Sequence, residues 1–172
     1  MADRFDYDPF WGVFADDLET YLKADSGVVA LLTKPNETGT FVDVAQGMTP
    51  NIPAPCVRLC RANESGQPLT TFRGKGLEIP PQLQLDLVLC SQYLTPRDAQ
   101  ASARGPWDTL RALERVVLAA LRRYFAPERS LSTILGAPFA ATVLSIVPTP
   151  GGYYPVVGCT IALQLNKVTN GN

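Results

Sequence analysis

The residues best suited to chemistry in this chain are its four cysteines, Cys56, Cys60, Cys90 and Cys159. Cys56 and Cys60 have the spacing C-x-x-x-C, and Arg58 and Arg61 are the nearby cations that could stabilise a thiolate. A small cytosolic hydrolase or transferase with a cysteine nucleophile is therefore one hypothesis. If this stretch is a strand, the two sulfurs lie on one face about 13 Å apart, given a rise of ~3.3 Å per residue, which is too far to share a metal. Small buried core residues are the competing interpretation.

Other catalytic constellations are not evident in the sequence. The chain has no histidine, which removes the usual general base and the commonest nitrogen ligand for metals. Gly74-Lys75-Gly76 lacks the spacing of a phosphate-binding loop. The carboxylates near the start of the chain favour a solvated helix face over an acid-base pair; they are Asp3, Asp6, Asp8, Asp16, Asp17 and Glu19. We therefore predict no cofactor and no metal site.

Length and charge narrow the class of protein. A chain of 172 residues fits a single domain spanning residues 1–172 with its own core. Lys and Arg total 15 against 16 for Asp and Glu, so a dedicated nucleic-acid binder with a general basic field is not expected. No apolar run reaches the ~18 residues of a membrane span, and the acidic start does not resemble a secretion signal. We expect no membrane partner and reduced thiols.

Two stretches of alternating apolar and polar residues predict strands that position the remaining polar side chains. Leucines occupy every second position of residues 82–92, at Leu83, Leu85, Leu87 and Leu89. Residues 154–167 follow the same pattern, and two further strands are expected at about 56–61 and 141–147. The reverse face of the sheet then carries Gln84, Asp86, Thr160 and Gln164. This face would be solvated in a monomer, but in a ring it would line a lumen or contact a neighbouring subunit.

Two helical regions can cover the leucine face. Residues 9–34 have helical spacing that is interrupted at 25–27, where Ser26 is the predicted cap of a short second helix. Residues 107–124 carry an apolar stripe of Leu110, Leu113, Val117, Leu121 and Tyr124. The opposite side of this helix holds Arg111 and Arg115, for which a solvated or subunit-contacting role is favoured over phosphate binding.

Two segments rich in turn-forming residues lie between these elements. Residues 33–54 predict an exposed, flexible loop, with at most a short strand at about 41–44. Residues 62–76 predict a β-hairpin arm that projects from the sheet and is locally basic through Arg58, Arg61, Arg73 and Lys75. The predicted fold is an α+β domain of two layers, with a mainly antiparallel sheet of about four strands and two helices on one face.

The order of these elements resembles a known family. The features concerned are an N-terminal helix, Pro-Ala-Pro-Cys-Val-Arg-Leu entering a strand, and an alternating strand that ends in Cys-Ser-Gln-Tyr. A small-residue linker, the helix at 107–124 and a closing hairpin into Val-Val-Gly-Cys-Thr-Ile-Ala-Leu-Gln-Leu follow. Together they are similar to the tail terminator, or tail-completion, proteins of tailed bacteriophages. The similarity is one of layout and length over most of the chain.

This resemblance implies a structural virion protein without enzymatic activity. Such a protein forms a homo-oligomeric ring, typically a hexamer, that caps the tail tube, stops its polymerisation and offers a docking surface to the head. Its partners would be the tail tube protein and a head-completion or connector protein, with genomic DNA passing through the lumen without sequence-specific binding. We would expect it in the tail or neck of the virion, after assembly in the bacterial cytoplasm.

The residues that would serve this assembly fall into two predicted groups. Contacts to a neighbouring subunit or to the tube are expected from the arm, at Arg61, Arg73 and Lys75. The lumen or an interface would be formed by Gln84, Asp86, Gln164, Arg111 and Arg115. Another head-tail connector, neck or baseplate component remains the alternative within the same class of protein.

Overall fold

The computed structural model describes residues 9–47, 54–61, 71–73, 76–78, 82–92, 105–126, 139–149 and 156–167. The helices in these ranges are α1 (Pro9–Ala24), α2 (Ser26–Leu32) and α3 (Gly105–Tyr124). The strands are β1 (Thr33–Asn36), β2 (Gly39–Val42), β3 (Val44–Gln46), β4 (Cys56–Arg61), β5 (Thr71–Arg73), β6 (Gly76–Glu78), β7 (Gln82–Gln92), β8 (Phe139–Thr149) and β9 (Val156–Lys167). The fold is α+β, as the sequence predicts.

The main sheet has five strands in the order β3-β4-β7-β9-β8. Neighbouring strands are antiparallel except for β3 and β4, which pair in parallel. The prediction of a mainly antiparallel sheet is therefore confirmed. The additional strand is β3, whose three residues are too few to show an alternating pattern.

The leucine face of β7 is the centre of the core. Leu85, Leu87 and Leu89 are almost fully buried, and the strand register places Leu163 and Ile161 of β9 opposite the first two. Helix α3 covers this face with the predicted stripe, whose members Leu110, Leu113, Val117, Leu121 and Tyr124 are all buried. Each large apolar side chain buried in this way contributes about 1.5–3 kcal/mol.

Tyr124 joins the end of α3 to α1. Its ring is fully buried and lies edge-on to Phe14 and Tyr21, with centroid distances of 6.1 Å and 5.1 Å. Its hydroxyl donates a hydrogen bond of 2.7 Å to Oδ2 of Asp17. A large apolar ring with a satisfied polar end suits this position between two helices. One of the acidic residues near the start of the chain therefore has a structural role.

The break between α1 and α2 differs from the prediction in its cap. Asp25, and not Ser26, is the N-cap of α2, and its Oδ1 accepts hydrogen bonds from the backbone nitrogens of Gly27 (3.0 Å) and Val28 (3.3 Å). Burial alone would raise the pKa of Asp25, but hydrogen bonds from Arg123 and from these nitrogens outweigh it, so the pKa is lowered. The extended conformation of Asp25 is the one that an N-cap requires, whereas Ser26 is already helical.

The predicted loop at 33–54 contains three strands in its described part. β1 and β2 form a hairpin whose two-residue turn, Glu37-Thr38, ends at Gly39 with a φ of 145°. Oδ1 of Asn36 accepts a hydrogen bond from the backbone nitrogen of Thr38. The turn-forming residues that predict a loop here therefore close the tight turn of this hairpin. Pro35 is tolerated because β1 pairs only with β2 among the described strands, so it is an edge strand. Residues 48–53 lie outside the described part.

The predicted arm is a hairpin over part of its length. β5 and β6 pair in antiparallel fashion from Thr71 opposite Glu78 to Arg73 opposite Gly76, in a two-stranded sheet separate from the main one. The pairing thus extends to Glu78, beyond the predicted limit of residue 76. Residues 62–70, 74 and 75 lie outside the described part of the chain.

Candidate functional site

The polar residues predicted on the reverse face of the sheet do share one face. Gln84 lies opposite Gln164, and Asp86 lies opposite Ala162 on β9 and opposite Cys60 on β4. These side chains are half-buried, and burial raises the pKa of the Asp86 carboxyl. The face is therefore partly desolvated in the subunit itself, which the sequence pattern does not predict.

The two groups of predicted lumen or interface residues lie on opposite sides of the domain. Gln84, Asp86 and Gln164 point away from the leucine face, whereas α3 packs on that face. Arg111 and Arg115 are exposed on the outer side of α3. One lumen cannot be lined by both groups, so at most one of them performs that role.

A buried cluster of charges joins Arg58 of β4 to Asp43, which lies between β2 and β3, and to Lys34 of β1. Asp43 and Arg58 are only 4% and 5% exposed, and Oδ1 of Asp43 lies 2.7 Å from Nη1 of Arg58. Lys34 donates to the other carboxylate oxygen of Asp43 at 2.6 Å. Arg58 also donates to the carbonyl of Val57 at 3.0 Å. This arginine therefore does not contribute to a basic surface near the arm, because it is enclosed in an ion pair.

The most exposed apolar surface among the described residues lies on β8. Four of the large apolar side chains of β8 are exposed by 38–52%, and they are Val143, Leu144, Ile146 and Val147. A β-bulge between Val143 and Ser145 leaves Leu144 without a partner on β9. Val143 and Ile146 lie opposite the buried Leu163 and Ile161, so the core face of the sheet continues onto β8, where the described helices do not cover it as they cover β7 and β9.

β8 is also an edge strand of the main sheet. Within the described part of the chain it pairs with β9 alone, and it is eleven residues long. A long apolar edge strand presents unpaired backbone groups together with apolar side chains, and soluble proteins usually avoid or cover such an edge. The sequence predicts the strand but not its exposure, since Thr-Val-Leu-Ser-Ile-Val lacks clean alternation. We define this surface, formed by Val143, Leu144, Ile146 and Val147, as the β8 surface.

At the two predicted nucleophile positions, Cys56 and Cys60, burial makes the thiol less acidic. The pKa of Cys56 is raised by its hydrogen bond to Cys90 and by burial, and burial raises the pKa of Cys60. A cysteine nucleophile requires the opposite shift. Cys159 lies on the other face of the sheet, opposite Leu89, and burial raises its pKa to about 11.

The predicted arm contacts can be placed only by their backbone. Arg61 ends β4 opposite Leu85, and Arg73 ends β5 at the turn of the hairpin. Lys75 lies outside the described residues, as do the side chains of Arg61 and Arg73. Their role in contacts therefore stays a prediction.

Comparisons with known proteins add no identification. Neither family models, nor curated proteins, nor solved structures give a match to this chain. Among the described residues, no helix has the length and apolar character to cross a membrane. The same residues contain no group of three or more Cys, Asp or Glu side chains placed to hold a metal ion.

Proposed function

We propose that this protein is a structural component of a phage virion, a tail terminator whose subunits form a ring that caps the tail tube. The observation that carries the proposal is the β8 surface, an apolar edge strand that a stably monomeric protein would be expected to cover. The layout of the chain, which resembles that of tail terminators, supports the particular assignment. The ring, its hexameric stoichiometry and the tube and head partners are parts of this proposal.

The position of β8 suits a head-to-tail contact. At the opposite edge of the sheet, β3 contacts α1, and Nε2 of Gln46 donates to Asp16 (2.6 Å) and Glu19 (3.0 Å) on that helix. The two edges of the sheet are therefore unlike each other. If β8 docks on a different surface of the next subunit, the contact is heterologous, and its repetition forms a ring when the rotation between subunits closes.

The β8 surface gives a direct test of assembly. We expect the purified chain, alone or with tail tube protein, to form rings visible by negative-stain microscopy and light scattering. Leu144→Glu with Val147→Glu should abolish these rings, because two charges would be buried in the contact. The subunit should stay folded, since both side chains are about half exposed.

Two control variants separate loss of the contact from a general effect of charge. Thr142→Glu adds a charge to β8 without removing an apolar group, and Phe41→Glu replaces an apolar side chain that is 38% exposed on β2. We expect Phe41→Glu to assemble normally and Thr142→Glu to be weakened less than the double variant. A wild-type chain that remains monomeric and does not bind tube protein would contradict the proposal.

The alternative within the same class is another neck, connector or baseplate component. Co-assembly distinguishes the two, because a terminator binds tube protein, whereas a connector binds portal protein. The cysteine-enzyme alternative is disfavoured by the raised pKa values of Cys56 and Cys60. It predicts that iodoacetamide labels one of these thiols in the native protein, and absence of labelling would remove it.

A further inference from the structure

Two of the cysteines face each other across neighbouring strands. Cys56 of β4 lies directly opposite Cys90 of β7 in the antiparallel register. Cα atoms of directly opposed residues in such a pair are about 4.5 or 5.5 Å apart, depending on the type of pair. Both values fall within the range of about 4.4–6.8 Å that a disulfide bond requires. The spacing of the two strands at this pair is therefore compatible with a disulfide bond.

No other pair of cysteines has this relation. Cys60 lies four residues from Cys56 on β4 and is opposite Asp86, which places it about 13 Å from Cys56 at ~3.3 Å per residue. Cys159 lies on the leucine face of the sheet, opposite Leu89, with the sheet between it and Cys90. The pairing of Cys56 with Cys90 is thus selected by the register.

The surroundings favour one of the two thiols as the first to react. The side chains of Cys56 and Cys90 share a hydrogen bond, and the pKa of Cys90 is lowered whereas that of Cys56 is raised. The guanidinium of Arg58, two residues from Cys56 on the same face, acts to lower the pKa of both thiols. Cys90 is 5% exposed whereas Cys56 is fully buried, so a small oxidant reaches Cys90 first.

We propose that Cys56 and Cys90 form an oxidation site, a cross-strand dithiol that hydrogen peroxide converts reversibly into a disulfide. The sulfur of Cys90 attacks one peroxide oxygen, the O–O bond breaks, and hydroxide leaves and takes up a proton to become water. Cys56 then attacks the sulfenic sulfur, and an S–S bond forms as the S–O bond breaks. The departing hydroxide takes the proton of Cys56, so two thiols and one peroxide give one disulfide and two waters.

The disulfide would tie β4 to β7 in the middle of the sheet. The chain between the two cysteines includes the β5–β6 hairpin, so the bond closes a long loop. Closing such a loop reduces the conformational entropy of the unfolded chain. The oxidised subunit should therefore resist unfolding more than the reduced one. Because the bond lies away from the β8 surface, this inference does not depend on the proposed function.

The experiment uses the full chain with Cys60→Ser and Cys159→Ser, which leaves only the proposed pair. After treatment of the native protein with hydrogen peroxide, we expect loss of both thiols and of two hydrogen atoms in the intact mass. Peptide mapping should show Cys56 linked to Cys90, and the urea midpoint of unfolding should rise. Dithiothreitol should reverse each change.

The controls make each outcome decisive. With Cys56→Ala added, Cys90 should stop at a sulfenic acid that dimedone traps, and the unfolding midpoint should not rise. Peptide mapping of the oxidised wild-type chain gives the same test if the serine variant does not fold. Retention of both thiols, bonds between chains only, or oxidation to sulfinic acid without a Cys56–Cys90 link would each overturn the proposal.

Discussion

At the scale of single residues, the ion pair of Asp43 and Arg58 sets a strict condition on stability. Both side chains are about 95% buried, so each charge depends on the other for compensation. We expect Asp43→Ala to lower the free energy of unfolding by about 3–5 kcal/mol, because it leaves the guanidinium buried without its carboxylate. Urea denaturation of the purified subunit measures the change.

Two further variants test the physical reason for this loss. Adding Arg58→Met to Asp43→Ala should recover most of the stability, since a buried ion pair can be replaced by apolar groups at little cost. Lys34→Met should cost less than about 1 kcal/mol, because Lys34 is partly exposed and Asp43 keeps Arg58 as a partner. Equal losses from Asp43→Ala and from the double variant would contradict the argument.

At the scale of elements, the packing of α2 against α3 depends on a glycine. A Cβ at Gly27 would lie 2.9 Å from Cγ1 of Val116, closer than two carbon atoms can approach. Gly27→Ala should therefore lower the free energy of unfolding by about 1 kcal/mol. Overpacking costs ~1–3 kcal/mol, whereas the better helix propensity of alanine returns about 1 kcal/mol.

Reducing the neighbouring side chain should reverse the sign of this effect. In a Val116→Ala background the contact is relieved, so Gly27→Ala should raise stability through helix propensity alone. Thermal unfolding of the four variants of this cycle measures the coupling. If Gly27→Ala has the same effect in both backgrounds, the close approach of the two helices is not the cause.

The elements that the sequence predicts well are those with many periodic residues. β7, β9 and α3 repeat their apolar pattern over 11 to 20 residues, and their buried faces are as predicted. β3 is missed because it has three residues and because a parallel pair has no turn signal between its strands. Asp25 is missed as a cap because both Asp25 and Ser26 suit that role, and only the backbone conformation decides between them.

The candidate site is less predictable from the sequence than the fold. The register makes Gln84, Asp86 and Gln164 one face, which alternation alone predicts. The separation of this face from Arg111 follows from the packing of α3 on the leucine face, which the sequence also predicts. Val143 and Ile146 lie opposite buried residues of the leucine face, so their exposure depends on where the helices end, and a pattern local to β8 does not contain that information.

At the scale of the whole molecule, an edge contact leaves both faces of the domain free. If β8 joins neighbouring subunits, the outer side of α3 and the reverse face of the sheet point towards opposite sides of the ring wall, and one of them lines the lumen. We therefore expect Arg111→Glu with Arg115→Glu, and separately Asp86→Asn, to assemble as the wild type does. Sedimentation velocity and negative-stain imaging measure the assembly.

Neither variant should destabilise the subunit, so any loss of assembly can be attributed to a lost contact and not to unfolding. Arg111 and Arg115 are exposed. Burial raises the pKa of the Asp86 carboxyl above its ordinary value of 3.8. The folded subunit therefore loses stability as the pH rises from 3.8 through the pKa of Asp86 in the folded state. Asparagine carries no charge, so Asp86→Asn removes that loss at pH 7. Failure of either variant to assemble, with unchanged unfolding, would move the contact from the β8 edge to that face. A dimer joined through two copies of β8 would instead exclude the ring, because an isologous contact ends assembly at two subunits.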